Sequence, residues 1–329
     1  MSMKRSSETR VVSAPPRTTH ACIAAGALVL ATVAHAFAAD SRRLTHVSDG
    51  YPSASPDGAR IAFQSDRSGA EQIYTMNAEG GDLRQLTQAK LGARTPKWSP
   101  DGREIVYTTG TDETSDIWLM NADGSGAHVL VDAPGDDSHP QWTPAGDAIV
   151  FNSSRTSPPV RDGKAVEWDD VFVIGRDGKG LRQLTHCRAI CTYPSMSPDG
   201  RRIAYRRVVN APGFDWELHA RADNSEVMTA NVDGSGERNL SNSPAFDGWP
   251  AWSPDGAWIA FASNRAGPAA VGQIQLVRPD GTELHAISAG AWSHVQPAWS
   301  RDGRMLYVNE LRENEGPEFG MIAAIAVGL

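Results

Sequence analysis

A chain of 329 residues, 40% of them hydrophobic, is long enough for one large all-β domain or two ordinary ones. Its 39 acidic and 31 basic residues give a formal charge of −8. With no basic cluster in the body of the chain, this excludes a nucleic-acid partner, whose phosphates demand a concentrated excess of Lys and Arg.

The first 39 residues differ in kind from the rest. Lys4, Arg5, Arg10 and Arg17 precede an uncharged, alanine-rich stretch from Ala21 to Ala39, and Ala36-Phe37-Ala38 is a small-x-small cleavage signal. That is the pattern of a secretory signal peptide cut near Ala38 or Ala39, so residues 1–39 read as a leader and 40–329 as the mature domain. A retained anchor is the other reading of the same stretch. Cys22 precedes the apolar run, whereas a lipid-bearing Cys would follow it. Removing four basic residues and Glu8 moves the charge from −8 to about −11. The expected location is the periplasm or the exterior, with no membrane span after cleavage.

The mature chain opens on a short strand, Arg42-Arg43-Leu44-Thr45. A unit then begins that recurs to the end. An inner strand runs through Tyr51-Pro52 into the turn Ser55-Pro56-Asp57-Gly58. A second strand leaves it as Ile61-Ala62-Phe63, a third spans Ile73 to Met76, and after a Gly-rich turn a fourth spans Leu83 to Thr87. Ser-Pro-Asp-Gly returns at 99, 197 and 253, and in degenerate form as Thr143-Pro144-Ala145-Gly146 and Ser300-Arg301-Asp302-Gly303. The six copies start 44 to 56 residues apart, which is a repeat architecture. Pro presets the turn, Gly accepts positive φ, and Ser and Asp bond neighbouring amides, so the loudest motif is turn chemistry. The Trp before it (Trp98, Trp142, Trp252, Trp299) fills space between units.

Four antiparallel strands repeated six times predict an all-β, six-bladed β-propeller. The sixth unit runs out at Val327-Gly328-Leu329 without a fourth strand, and Arg42 to Thr45 matches the fourth-strand sequence Leu181-Arg182-Gln183-Leu184-Thr185. The N-terminal strand is therefore expected to pair with Met321 to Val327, close the ring and hide an open sheet edge.

The order Pro-x-Trp-Ser-Pro-Asp-Gly, apolar strand, Ser-x-Arg-x-Gly, apolar strand, Asp-Gly, Leu-Thr resembles the TolB-like β-propeller repeat family, also described as a WD40-like Pro-Asp repeat. Ser65-Asp66-Arg67-Ser68-Gly69, Ser263-Asn264-Arg265-Ala266-Gly267 and, in part, Ser153-Ser154-Arg155 carry its middle element. The resemblance covers essentially the whole mature chain. It implies the fold and leaves function open, because such propellers serve as scaffolds, as substrate gates of peptidases and in carbohydrate-active enzymes. TolB itself has an α/β domain ahead of its propeller, for which too few residues precede Arg42. Direct membership of the Tol envelope system is thus not expected, while an envelope protein stays a candidate partner.

Propeller geometry puts the Ser-Pro-Asp-Gly and Asp-Gly turns on one face, the bottom. The links between second and third strands share the top with the links between blades. The two long insertions, Ser154 to Asp169 and Arg206 to Glu226, are both of the second-to-third type and are expected to rise together from the top. Tyr51, Thr95, His139, Tyr193, Trp249 and Gln296, each immediately before the Pro of its unit, are expected to ring the channel mouth there, near Asp49, Asp136, Asp137, Asp247 and His294.

Two functions fit. The favoured one is non-enzymatic: a monomer without cofactor whose top face binds an envelope protein or peptide, or a polar small molecule or saccharide. The residues assigned to it are Tyr51, Asp137, His139, Tyr193, Trp249, His294, Gln296, Arg67, Arg155 and Arg265. The alternative is a carbohydrate-active lyase or hydrolase with a His/Asp site at the channel, in which His139, His186 and His294 would hold a divalent metal, as His-rich sites do in some pectate-degrading lyases on a related propeller. Phe214-Asp215-Trp216-Glu217-Leu218-His219 alternates apolar and polar residues, so Asp215, Glu217 and His219 would share one side of a strand, either as a wet hairpin face or as paired carboxylates. The chain has no nucleophile elbow, metalloprotease helix, phosphate loop or dinucleotide fingerprint, and no serine-peptidase activity is expected. Cys187 and Cys191, four apart, read as a loop-stapling disulfide in an exported protein or else as free thiols; a zinc site would need ligands beyond His186.

Overall fold

The computed structural model describes residues 41–45, 48–111, 114–157, 168–208, 225–265, 272–312 and 320–328. Residues 1–40 (the expected leader included), most of both long insertions and the segment Phe214 to His219 lie outside the described residues.

A two-residue strand, β1 (Arg42–Arg43), comes first. The first blade is β2 (Asp49–Ala54), β3 (Arg60–Ser65), β4 (Gln72–Asn77) and β5 (Arg84–Gln85); the second is β6 (Ala93–Trp98), β7 (Glu104–Gly110), β8 (Ser115–Asn121) and β9 (His128–Val131). The third and fourth are β10 (Asp137–Trp142), β11 (Ala148–Ser153), β12 (Asp170–Gly175), β13 (Arg182–Gln183) and β14 (Cys191–Met196), β15 (Arg202–Val208), β16 (Ser225–Asn231), β17 (Arg238–Asn239). The fifth is β18 (Asp247–Trp252), β19 (Ile259–Ser263), β20 (Gln273–Val277), β21 (His285–Ala286), and the sixth begins with β22 (Ser293–Trp299), β23 (Met305–Leu311), β24 (Gly320–Ala326). Six four-stranded antiparallel sheets result, and the sixth is completed by β1, with Arg42 opposite Ala324 and Arg43 opposite Ala323.

The turn motif behaves as its chemistry requires. Ser55 Oγ donates to Asp57 Oδ1 at 2.5 Å and accepts from the Arg60 N–H at 2.9 Å, while Gly58 takes φ +73°. In the degenerate third copy the carboxylate comes from Asp147 instead, which accepts from Thr143 Oγ1 at 2.8 Å. The hydrogen bond to the Ser hydroxyl, then the following backbone N–H, holds Asp57, Asp101, Asp199, Asp255 and Asp302 below the usual carboxylate range.

The Leu-Thr ending of the fourth strand also has a repeated task. The Thr or Ser hydroxyl accepts the N–H near the start of the third strand: Thr87 from Ile73 and Thr185 from Val171 at 2.8 Å, Ser241 from Val227 at 3.0 Å and Ser288 from Ile274 at 2.8 Å. Thr45 does the same for Ile322 at 3.0 Å, and Leu44 N–H donates to Ile322 O at 2.8 Å. The N-terminal segment is thus the sixth blade's fourth strand in register as well as in position. Core packing runs between neighbouring sheets: Val106, Ile117 and Leu119 of the second blade meet Trp142, Ile149, Phe151 and Phe172 of the third. Among the described residues no helix is long and apolar enough to cross a membrane.

Candidate functional site at the channel

Every inner strand carries the same irregularity. The pairing with its neighbour skips between Gly50 and Ser53, Arg94 and Lys97, Ser138 and Gln141, Thr192 and Ser195, Gly248 and Ala251, and Val295 and Ala298. The first residue inside each of the first five skips, and Gln296 in the sixth, has left-handed backbone: Tyr51 (φ 51°), Thr95 (51°), His139 (52°), Tyr193 (55°), Trp249 (54°) and Gln296 (54°). Such a conformation costs a non-glycine residue about 1 kcal/mol or more, so it persists only where the surrounding sheet enforces it. A bulge re-aims a side chain, and here all six line one central channel. The residues that the sequence places before each Pro are brought together.

The ring is nearly closed by its own aromatics. Tyr51 and His139 lie 6.0 Å apart between ring centroids, His139 and Tyr193 4.0 Å, and Tyr193 and Trp249 5.6 Å, with Phe246 backing Trp249 at 4.9 Å. The free space left is about 50 Å³, enough for a few waters. Gln296 Oε1 accepts the Tyr51 N–H at 2.8 Å; that N–H needs an oxygen, so the amide orientation is fixed and Nε2 faces away, buried and without a hydrogen-bond partner. Trp249 Nε1, near enough to the Tyr51 phenol to influence it, makes no hydrogen bond of good geometry either. Burial, then the neighbouring Tyr193, pushes the Tyr51 phenol well above its ordinary range.

His139 is neutral. Asn152 Nδ2 donates to Ser138 Oγ at 2.9 Å, which turns Asn152 Oδ1 toward His139 Nδ1 at 3.0 Å, so the imidazole proton sits on Nδ1 and Nε2 keeps its lone pair. Burial, followed in the same direction by the charges of Lys97 and Arg206, brings His139 down to about 3. The folded protein therefore binds fewer protons at this site than the unfolded chain between about pH 6.5 and 3, and acid favours unfolding across that window. Urea titrations of wild type and His139→Gln should coincide in slope above pH 6.5. Below it the variant should lose stability less steeply, by up to ~1.4 kcal/mol per pH unit. Equal slopes at pH 4 to 6 would show that His139 titrates normally.

Two channel residues escaped the sequence reading. Lys97 and Gln141 lie two positions beyond Thr95 and His139, where the period of a strand returns a side chain to the same face, and both line the channel. The signal was present: the equivalent positions in other blades hold Ser53, Ser195, Ala251 and Ala298, so these are the two long side chains in a ring of small ones. The Lys97 ammonium has no ion-pair or hydrogen-bond partner among the described residues, and burial lowers it to about 8, still mostly charged at neutral pH.

The remaining candidates lie elsewhere. Arg67, Arg155 and Arg265 are engaged inside the first, third and fifth blades. Each guanidinium meets the buried carboxylate of Asp49, Asp137 or Asp247 at 2.7 to 2.8 Å and bonds Ser65, Ser153 or Ser263 through Nε. Arg155 also lies over the Phe172 and Phe151 rings, 5.1 and 5.5 Å from their centroids. Asp137 is thus part of a clamp and does not line the channel. Burial raises the Asp49, Asp137 and Asp247 carboxyls, against the hydrogen bonds of their Arg and Ser partners. At the corresponding place in the sixth blade, His294 Nε2 is 3.2 Å from the buried Glu310, which also holds Arg312 at 3.1 Å, Arg43 at 3.4 Å and Ser41. His186 is exposed beside Cys187, which is joined to Cys191 as a disulfide. His139, His186 and His294 occupy three different settings, and among the described residues no three His, Cys, Asp or Glu side chains gather as metal ligands would.

A model of the TolB beta propeller domain matches residues 32–160. The Protein TolB homolog of Chlorobium luteolum is 30% identical over 129 residues, covering 30% of this chain and 29% of the relative. The uncharacterized peptidase YuxL of Bacillus subtilis is 31% identical over 118 residues, covering 36% of this chain and 17% of the relative. The chain thus spans less than a third of the length of these two curated relatives. In structure it is similar to TolB from Acinetobacter baumannii, with a TM-score of 0.61 at 20% identity over 75% of this chain and 56% of that one, a likeness of fold.

Proposed function

We propose that this chain, which belongs to the TolB-like β-propeller repeat family, is an exported binding propeller that docks a protein or peptide of the cell envelope at the top of its channel. The observation that carries the reading is the ring of Tyr51, His139, Tyr193 and Trp249, four aromatic groups held at one channel by four of the six repeated left-handed kinks. Aromatic anchors around a recess are the usual centre of a binding surface, because they bring large contact area at small entropic cost. Export is supported by the leader and is consistent with the Cys187–Cys191 disulfide. The enzymatic alternative asks for His139 and His294 on one substrate, and it is disfavoured by His294 lying against Glu310 and outside the channel lining.

Peptides selected from a displayed random library on the mature protein test the reading. Tyr51→Ala and Tyr193→Ala, checked for intact fold by circular dichroism, should weaken such peptides by about 30-fold, the equivalent of ~2 kcal/mol for a central anchor. A selection that enriches nothing, or only peptides indifferent to both substitutions, would remove the channel top as the docking face.

A further inference from the structure

Beyond docking, the channel interior has a chemistry of its own. Among the described residues Lys97 has no counterion, and no Asp or Glu is among the lining residues. Trp249 and Gln296, only 7% and 5% exposed, line the same channel, and each has a buried side-chain N–H without a hydrogen-bond partner among the described residues. Three residues bearing such donors, one of them charged, line a channel with about 50 Å³ of free space in a chain whose overall charge is negative. Unpaired buried donors and a half-buried ammonium without a counterion each carry a desolvation penalty, which a compact anion with several acceptor oxygens would relieve.

We propose that the channel waist is a binding site for a single carboxylate group, held by the Lys97 ammonium, the Trp249 indole N–H and the Gln296 amide N–H. The free volume suits a group of about this size, and the aromatic side chains that line the same channel suit the apolar stem that follows a carboxylate. A free small acid and the carboxyl end of a peptide present the same group. The site stands apart from the docking reading, since a small acid can occupy it whether or not a protein binds the top face.

Isothermal titration of the mature protein with acetate and acetamide, and with triglycine and triglycinamide, tests it. Acetate should bind and acetamide should not. Triglycine binding without triglycinamide binding would place a chain end in the site, and acetate binding alone would restrict it to free small acids. Lys97→Met should weaken acetate by at least about tenfold, the worth of one charge-assisted hydrogen bond. The variant is expected to fold, because Lys97 serves the fold through its backbone, paired with Val106 and accepting from Trp142 Nε1 at 3.1 Å, and a substitution keeps both. Trp249→Phe, which removes the N–H and keeps most of the ring, should weaken acetate as well and serves if Lys97→Met proves unstable. Acetate that fails to bind, binds no better than acetamide, or binds both variants as it binds wild type would overturn the proposal.

Discussion

Leu44→Ala combined with Thr45→Val should lower the unfolding free energy by about 3 to 6 kcal/mol, more than the same pair of changes in any other blade. Leu44 is buried in the core formed with Ile61, Phe63, Tyr74, Tyr307 and Ile322, so its truncation leaves a cavity between the first and sixth blades. Removing the Thr45 hydroxyl strands the Ile322 N–H. The equivalent Leu184 and Thr185 follow a strand that the chain joins directly to the third strand of its own blade, whereas β1 has no such link to the sixth blade and is held there by these contacts, two residue pairs with β24 and the Ser41 and Arg43 bonds to Glu310 of β23. The first blade feels the loss too. A side chain at Gly80 would come within 2.5 Å of the Leu44 carbonyl, as one at Gly124 would meet Leu86 at 2.7 Å and one at Gly234 would meet Leu184 at 3.0 Å, so each Asp-Gly-type hairpin rests on the preceding blade's Leu. Once released, β24 becomes an open edge, and the Ile322 and Ala324 amides should exchange hydrogen far faster while the protein grows prone to association. Unchanged protection at those amides in the double variant would mean that β1 does not close the ring.

The closure shows why so much of the fold was legible. Each structural task repeats, so Arg42 to Thr45 could be recognised by comparison with Leu181 to Thr185 with no knowledge of packing, and the ring before each Pro could be read off in the same way. Legibility failed where a position departs from its repeat. Lys97 and Gln141 are informative because Ser or Ala fills the matching places, yet a search for aromatics and His passes over them. Arg67, Arg155 and Arg265 show the opposite case: they repeat, and a repeated residue is more often part of the frame. Their partners Asp49, Asp137 and Asp247 recur 18 residues upstream at every site, a regular interval visible in the sequence. The absence of a convergence among His139, His186 and His294 rests on the packing of Glu310 against His294, a long-range contact that one-dimensional pattern does not encode.

Arg155→Met should cost about 3 to 5 kcal/mol at neutral pH, because it leaves the Asp137 carboxylate buried without its cation. Asp137 is 1% exposed and its two oxygens accept from the same guanidinium nitrogen at 2.8 and 2.9 Å, while Arg155 covers two Phe rings; the methionine keeps much of that apolar cover and loses the charge. Burial already raises the Asp137 carboxyl against the hydrogen bonds from Ser153 and Arg155. Removing Arg155 removes one of those opposing influences, so the folded carboxyl moves higher still while the unfolded one stays in its ordinary range. The folded variant then binds more protons than its unfolded chain over the interval between the two, and the deficit shrinks as pH falls into it. Replacing both partners, as Arg155→Met with Asp137→Leu, leaves no orphaned charge and should recover most of the loss, giving a coupling of about 2 kcal/mol or more in a double-mutant cycle. Denaturant titrations of the four proteins at pH 7 and pH 5 measure all of this. A penalty under about 1 kcal/mol that does not change with pH would place the pair among ion pairs of little consequence, and would leave Arg155 available to the docking face.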